Sequence, residues 1–477
     1  MSVPRLGTAP QSVASAVNRA AGGRPVPGNR VELLIDGPDA YRAMHDVIAS
    51  ATRWVHFENY IIRSDDAGWR FAERLAQRAR EGVHVRVLYD WIGSVLTSDK
   101  LWRHLRAHGV EVRAFHPLRP LDIVTNFSRN HRKLVVADGS RAVIGGLCIG
   151  CEWTGEAPAG AQPWRDTAVE IGGPAAAVLD QAFARTWKVA GGRLPPDDVA
   201  GRVTPMGEAE VRVIAGEPGR ERTYRVIELL AAGSIERLWF TDAYLVAPPR
   251  LFQALRDAAR DGVDVRILVP GSSDLPLIRN LSRIGYRDLL RSGVRIFEWD
   301  GPMLHAKTMV VDGRWVRVGS SNLNPSSLLG NYELDVLVED AGLAEAMERQ
   351  FRLDIALSRE VTRRPMRVPP RISGALPTAL SREPPEVMAA PSRRTRRERR
   401  HRAALALRTL AVNARRSIFL PISAIFVALG LLFFALPKVT AYAFGGLCAW
   451  LAVGAWREAF RRRSDEPSAR VARLPTA

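Results

Sequence analysis

At 477 residues and 47% hydrophobic content, the chain has room for one large duplicated domain plus further segments, and its composition is ordinary for a globular protein with some membrane content. The net charge of +18 looks like a nucleic-acid footprint until it is located. Residues 357 onward hold 23 basic and 7 acidic side chains, whereas residues 1–356 hold 45 against 43, so a cleft in the first 356 residues lacks the basic excess that nucleases and nucleic-acid readers use.

Residues 1–27 are rich in Ala, Gly, Pro and Ser and have no contiguous apolar core; they read as a loosely ordered segment without a signal peptide. Residues 28–195 form a first half. Within it, Phe71 to Leu88 has the apolar spacing of an amphipathic helix, then a glycine, then an alternating strand, and Leu101 to Arg113 repeats helix and strand. A third strand follows, Lys133 to Ala137, inside the pattern H-x-K-x-x-x-x-D that runs from His131 to Asp138. After a gap of six residues comes the small-residue turn Gly145-Gly146-Leu147-Cys148. Gly, Pro and Asp cluster near 191–205 and mark a boundary.

Residues 205–356 repeat the series. Leu251 to Leu268 mirrors Phe71 to Leu88 at a distance of 180 residues, Tyr286 to Ile296 gives the next helix and strand, and His305 to Asp312 is a second copy of the motif. Its small-residue turn is Gly319-Ser320-Ser321-Asn322. Alternating helices and strands in each half predict an α/β fold of two pseudo-symmetric halves, each a layered mixed sheet flanked by helices.

Beyond residue 356 the character changes. Residues 357–416 are a Pro- and Arg-rich linker with a basic cluster at Ser392 to Arg402. Residues 417–457 contain two uncharged runs, Ile418 to Leu436 and Val439 to Trp456, each long enough for about one bilayer crossing, with Pro437-Lys438 as the hairpin tip. Arginines flank both runs, which puts both ends, and the catalytic halves with them, on the cytoplasmic side; residues 458–477 are then a basic cytoplasmic tail. The bland alternative is a buried helical hairpin in a soluble protein.

The motif residues suggest chemistry at an anionic centre. Residues two apart on a strand share a face, so His131 with Lys133, and His305 with Lys307, point together. Only five lysines stand against sixty-three arginines, and two of the five are these. Lysine supplies a compact charge for a phosphoryl oxygen, while one imidazole attacks and a second handles the proton. Asp138 and Asp312 belong to the motif's catalytic set by pattern, yet beside their glycines they read as turn or strand-end anchors. Tyr60 and Tyr244 suit either a cleft wall or core packing. Cys148-Ile149-Gly150-Cys151 has redox spacing, but the one further cysteine is Cys448, so packing is the preferred reading. No cluster with metal-ligand spacing lies near the motifs, so neither metal nor other cofactor is expected.

These residues resemble the phospholipase D superfamily, and more narrowly bacterial cardiolipin synthases. The resemblance spans about residues 28–355 and rests on Gly28 to Gly37, Glu58-Asn59-Tyr60, Asn130-His131-Arg132-Lys133, Trp164-Arg165-Asp166-Thr167, Gly319 to Pro325 and Asn331-Tyr332-Glu333. It implies that the two histidines work on one phosphodiester, that Asp166 and Glu333 orient them, and that Asn322 and Ser320 join the lysines in binding phosphate. It further implies a bacterial inner-membrane phosphatidyl transferase that makes cardiolipin from two phosphatidylglycerols through a phosphatidyl-histidine, releasing glycerol. His131 is the expected nucleophile and His305 the acid and then base, with the reverse assignment open. Also open are a hydrolytic phospholipase D, a phosphodiesterase or nuclease, and a catalytically weak membrane scaffold. Three positions depart from the family pattern: Cys148 where Asn is usual, Asn324 where Asp is usual and Ser327 where Arg is common. The expected partners are the phospholipid and the membrane, without nucleic acid; the oligomeric state is not legible.

Overall fold

A computed structural model describes residues 9–118, 127–155 and 162–362. The apolar runs at 418–436 and 439–456, the linker beyond 362 and the basic cluster lie outside the described residues. Among the described residues, no helix is long and apolar enough to cross a membrane.

The first half runs β1 (Val26–Ile35), α2 (Asp36–Ser50), β2 (Trp54–Asn59), α3 (Asp66–Arg80), β3 (His84–Asp90), α4 (Asp99–Ala107), β4 (Glu111–Phe115), β5 (Leu134–Ala137), β6 (Arg141–Gly145), β7 (Thr167–Gly172) and α5 (Pro174–Val189). The second runs β8 (Ala209–Gly216), α6 (Arg222–Gly233), β9 (Arg237–Thr241), α7 (Pro249–Arg260), β10 (Asp264–Pro270), α8 (Pro276–Arg291), β11 (Arg295–Trp299), β12 (Thr308–Val311), β13 (Trp315–Gly319), β14 (Glu333–Glu339), α9 (Ala341–Ala356) and β15 (Ser358–Glu360). The two helix-glycine-strand units fall where the repeat predicts them. Gly82 and Gly262 close α3 and α7 at φ +89° and +95°, a conformation that a side chain at those positions would strain.

The strands form one sheet in the order β15-β11-β10-β9-β12-β13-β14-β8-β1-β7-β6-β5-β2-β3-β4. Apart from the edge strand β15, the order reads the same outward from the β1–β8 junction in either direction. In each half a parallel trio (β2, β3, β4 or β9, β10, β11) meets an antiparallel set at the motif strand, β5 or β12. The junction is antiparallel, pairing Val26 with Val211 and Asn29 with Ala209. Buried Asn29 stitches it: its amide donates to the Ala209 carbonyl at 3.2 Å, and its Oδ1 accepts from the Ala175 N–H at the start of α5. One core, with Phe183 and Trp187 of α5 and Phe351 of α9, is shared by both halves; a second packs α2 and α3 on the first half, and a third packs α6 and α7 on the second.

The N-terminal stretch differs from the sequence expectation. Residues Ala9–Ala21 form helix α1, with Val17, Ala20 and Ala21 buried in the second half's core beside Tyr224 and Ile227. Apolar residues at 13, 14, 17, 20 and 21 recur every three to four residues, and alanine is the best helix former; a composition-based reading missed both signals.

The motif aspartates are also relocated. Asp138 and Asp312 occupy positive-φ positions (+52° and +50°) followed by Gly139 and Gly313 at +61°, the type I′ pattern that closes the β5–β6 and β12–β13 turns. Their carboxylates accept from the backbone N–H groups of Thr52, Arg53 and Trp54, and of Ile235, Glu236 and Arg237, at 2.7–3.0 Å. They thus fix the entries to β2 and β9, and roughly 20 Å of extended chain separates each from its histidine. The catalytic grouping is corrected accordingly: these are turn anchors.

Asp138→Ala and Asp312→Ala leave several backbone donors without their carboxylate. Each is expected to cost about 1–3 kcal/mol of stability, read as a lower Tm, with turnover per folded molecule unchanged. Lost turnover at an unchanged Tm would return these residues to the chemistry.

Candidate active site

The motif histidines come from chain segments that cross between the halves. Just before β5, the His131 N–H donates to the Tyr332 carbonyl at 2.9 Å, and the Tyr332 N–H to the Arg129 carbonyl at 2.8 Å. The mirror pair joins Arg165 to Met303 (3.0 Å) and His305 to Arg165 (2.7 Å). Each motif segment is therefore zipped to the residues that lead into the inner strand of the other half, and the carboxylates that follow them land opposite the wrong-half histidine. Nδ1 of His131 lies 3.1 Å from both oxygens of Glu333, and Nδ1 of His305 lies 2.7 Å from Oδ2 of Asp166.

Each carboxylate is itself held. Asp166 accepts from the Trp153 indole at 3.0 Å and from the Thr167 N–H at 2.8 Å. Glu333 accepts from the Ser320 hydroxyl. With Nδ1–H donated to a carboxylate, the Nε2 of each ring keeps its lone pair. Burial, and then the Lys307 charge, lower His305 to about 4 against the pull of Asp166. His131 is lowered too, chiefly by burial. Burial pushes the carboxylate of Asp166 up, but His305 and Lys307 more than offset it, so it stays below its ordinary range. Glu333 behaves the same way beside His131 and Lys133. Two carboxylates and two neutral imidazoles therefore face one another near pH 7.

Lys133 and Lys307 are wholly buried, and each ammonium donates to the carbonyl of its own motif histidine. An ammonium has three donors, so two remain on each for a phosphoryl oxygen. Burial is the main reason that Lys307 falls to about 8, with Lys133 adding repulsion and Asp166 opposing it; Lys133 is lowered by burial as well.

His131 and His305 open onto the same cleft of about 490 Å³. Both tyrosines left undecided by the sequence line it: the Tyr60 ring sits 4.9 Å from that of His131, and Tyr244 lies 6.1 Å from His305. Trp153 and Trp164 close the His305 side at 5.6 and 5.5 Å. Among the described residues, no group of three or more His, Cys, Asp and Glu is placed to hold a metal ion.

Asn322 lines the cleft, 4% exposed; its Nδ2 donates one long bond to the Ser327 hydroxyl at 3.5 Å, which leaves its second N–H for a ligand oxygen, and its Oδ1 is buried without a partner. Cys148 occupies the matching place in the first half, buried and unpaired in any disulfide. Ser320 departs from expectation. It is fully buried and outside the cleft, and its hydroxyl is committed to Glu333 and to the backbone of Leu334. It positions Glu333 and is not placed to bind phosphate. Asn324 and Ser327 at the other departures bond to each other, with the Ser327 N–H donating to Asn324 Oδ1 at 3.0 Å.

Three contributors escaped the sequence reading. Buried Arg132 donates to the carbonyls of Glu333, Ala182 and Gly216, tying β14, α5 and β8 beneath His131. Arg165 makes a two-pronged pair with Asp354 of α9 at 2.9 and 3.1 Å. Both arginines sit inside the recognised tetrapeptides, so a charge within an apolar strand pattern was the available signal. Trp153, which holds Asp166, left no local signal.

Residues 44–187 and 226–355 match the family described as "Cardiolipin synthase, PLD-like domain". The chain is 35% identical over 337 residues to the cardiolipin synthase A of Pseudomonas entomophila strain L48, covering 70% of each chain. It is 36% identical over 338 residues to that of Pseudomonas aeruginosa strain LESB58, covering 70% of this chain and 68% of the other. Among solved structures it is similar in fold to the phosphatidylserine synthase of Haemophilus influenzae Rd KW20, with a TM-score of 0.58, 17% identity and coverage of 73% of this chain and 92% of that one.

The charge arrangement sets a pH profile. As pH rises through about 8, Lys307 loses its proton and one of the two ammonium charges buried beside the histidines is lost, so kcat/KM for an anionic phosphodiester should fall. On the acid side a second fall is expected where the attacking imidazole gains a proton and loses its lone pair; burial lowers His131 and so carries that fall to lower pH. Lys307→Arg should lower the rate yet carry the alkaline fall to higher pH, since a guanidinium stays charged. An alkaline limb that does not move in this variant would remove Lys307 from the role.

Proposed function

This chain belongs to the family of cardiolipin synthases built on phospholipase D-like domains, and from that premise we propose that it is a phosphatidyl transferase making cardiolipin from two phosphatidylglycerols. The observation that carries the reading is the crossed pair of histidine–carboxylate contacts around one cleft, with both lysines beside them. Such a set attacks a phosphodiester from one side and manages the leaving group from the other.

In the proposed course, the phosphodiester of the first lipid binds between Lys133, Lys307 and the Asn322 amide. Its negative charge raises both imidazoles and leaves His305 protonated. Nε2 of His131, the more exposed of the two side chains at 11% against 6%, attacks phosphorus. The P–N bond forms as the bond to the headgroup glycerol breaks, and the departing oxygen takes the proton of His305. Glycerol leaves. The headgroup hydroxyl of a second phosphatidylglycerol then gives its proton to His305 and attacks phosphorus; the P–N bond breaks, and cardiolipin is released with both histidines restored. Glu333 and Asp166 hold the two rings and stabilise each in its charged state.

The reading also includes an anchor. Ile418 to Leu436 and Val439 to Trp456 form a hairpin of two crossings, with Arg on both flanks keeping both ends in the bacterial cytoplasm, and the catalytic domain works at the inner surface of the cytoplasmic membrane. The lipid substrate then lies beside the enzyme at high effective concentration.

Lipid analysis by mass spectrometry after incubation with phosphatidylglycerol vesicles should give cardiolipin and glycerol in equal amounts. Phosphatidic acid alone would make the protein a hydrolase. His131→Ala and His305→Ala should each reduce turnover by on the order of 10³-fold or more, and their combination little further, because the two act as a unit. Near-normal turnover in either would end the two-histidine reading, and a phosphatidyl adduct trapped on His305 would reverse the roles.

The topology has its own measurement: a reporter fused after Ala477 should resist protease added to spheroplasts. Cleavage there would mean an odd number of crossings.

A further inference from the structure

Apolar side chains stand in water on both sides of the cleft mouth. In the loop after β3, Val95 and Leu96 are 44% and 61% exposed. That loop is fastened to the cleft wall, where the Ser94 hydroxyl donates to the Tyr60 carbonyl at 3.2 Å and Gly93 approaches Tyr60 too closely to admit a side chain. At the equivalent place in the second half, after β10, Leu275 and Leu281 are also exposed and line the cleft themselves, and Ile284 of α8 is 75% exposed. The duplicated fold thus repeats the same feature at the same strand ends, which puts two apolar patches beside one opening.

Helix α8 adds a second, independent observation. Arg279, Arg283, Arg287 and Arg291 recur every fourth residue, on successive turns of one flank; Asp288 pairs with Arg291 and Glu298 of β11 with Arg283 and Arg359, so the flank stays net basic, with five arginines to two carboxylates. Arg283, Arg287 and Arg291 border a groove of about 750 Å³ together with Arg359. Tyr286 and Leu289 turn inward, while Ile284 lies outward between the arginine flank and the cleft-facing Leu281. A helix with arginines along one flank and exposed aliphatic groups beside them suits the plane of a lipid–water interface.

We infer that this rim is the membrane-docking face of the catalytic domain and that its occupant is an anionic bilayer surface. The inference rests on the reading of the substrate as a membrane phospholipid. Charge selects the occupant. The chain's own segment 363–416 carries 15 basic and 3 acidic residues, so the arginine flank repels it, and a second copy meeting it through the same rim would present the same arginines. Anionic headgroups meet the arginines while Leu96 and Ile284 enter the acyl boundary. With the mouth against the bilayer, a headgroup reaches His131 and His305 without its tails leaving the lipid.

The test uses the full chain reconstituted in phosphatidylglycerol vesicles, with short-chain phosphatidylglycerol below its micelle concentration as the comparison substrate. Leu96→Asp combined with Ile284→Asp should leave turnover of the monomeric lipid within about twofold and lower turnover on vesicles about tenfold. In parallel, Ile284→Cys, in a background of Cys151→Ser and Cys448→Ser, carries an environment-sensitive fluorophore. Spin-labelled lipid should quench it in phosphatidylglycerol vesicles and much less in phosphatidylcholine vesicles. Equal vesicle turnover in parent and variant, with an unquenched label, overturns the docking face, as does cross-linking of position 284 to a second copy. A parent that turns over neither form of the lipid refutes the substrate reading instead; the label then decides docking alone, quenching supporting it and its absence overturning it.

Discussion

The site depends on a crossed pair of contacts: His131 on Glu333 and His305 on Asp166, each joining one half of the duplicated domain to the other. Neither half supplies both members of a histidine–carboxylate pair by itself. The backbone bonds of His131 with Tyr332 and of His305 with Arg165 bring the segments together. Arg132 and Arg165 then fill the space beneath them with charges that are paired or fully hydrogen-bonded. The β1–β8 junction and the shared core around Phe183, Trp187 and Phe351 have a functional reading in this light, because they join the two halves that carry the imidazoles.

The electrostatics follow from burial. Four ionisable partners and two imidazoles lie out of water, a costly arrangement unless charges are matched. Here two ammonium groups balance two carboxylates, and the histidines remain neutral with their Nε2 lone pairs available. An incoming phosphodiester disturbs that balance by one negative charge, and the nearest groups able to respond are the imidazoles. In the proposed course, substrate binding itself would thus prepare the proton donor.

The two half-sites are similar without being equal. Asp166 is short, and it lies so close to Gly146 that a Cβ there would stand 2.2 Å from its Oδ1. Glu333 is one methylene longer, and the matching position is Ser320, whose hydroxyl supports the carboxylate. The glycine and the serine are therefore each fitted to the carboxylate they face. The same asymmetry places the Cys148 thiol opposite the Asn322 amide, leaving the second half with the stronger hydrogen-bonding group toward the cleft.

What the sequence determined by itself was the duplication, the alternating helix and strand order of each half, and the residue types of the chemistry. All of these are local: a 3.6 or 2.0 period, a glycine stop, an Asp-Gly turn and a histidine two residues from a lysine leave marks within a few positions. The tertiary structure decided which histidine meets which carboxylate. Two equivalent halves carry the same spacing whether the contact stays within a half or crosses between halves, so no local pattern distinguishes the two. It also decided that Ser320 supports Glu333 from behind, because strand alternation fixes a face but not the partner packed against it. Helix α1 was hidden for a related reason: its apolar face is short and rich in alanine, and it becomes worth ordering only when the second half's core is present to cover Val17, Ala20 and Ala21.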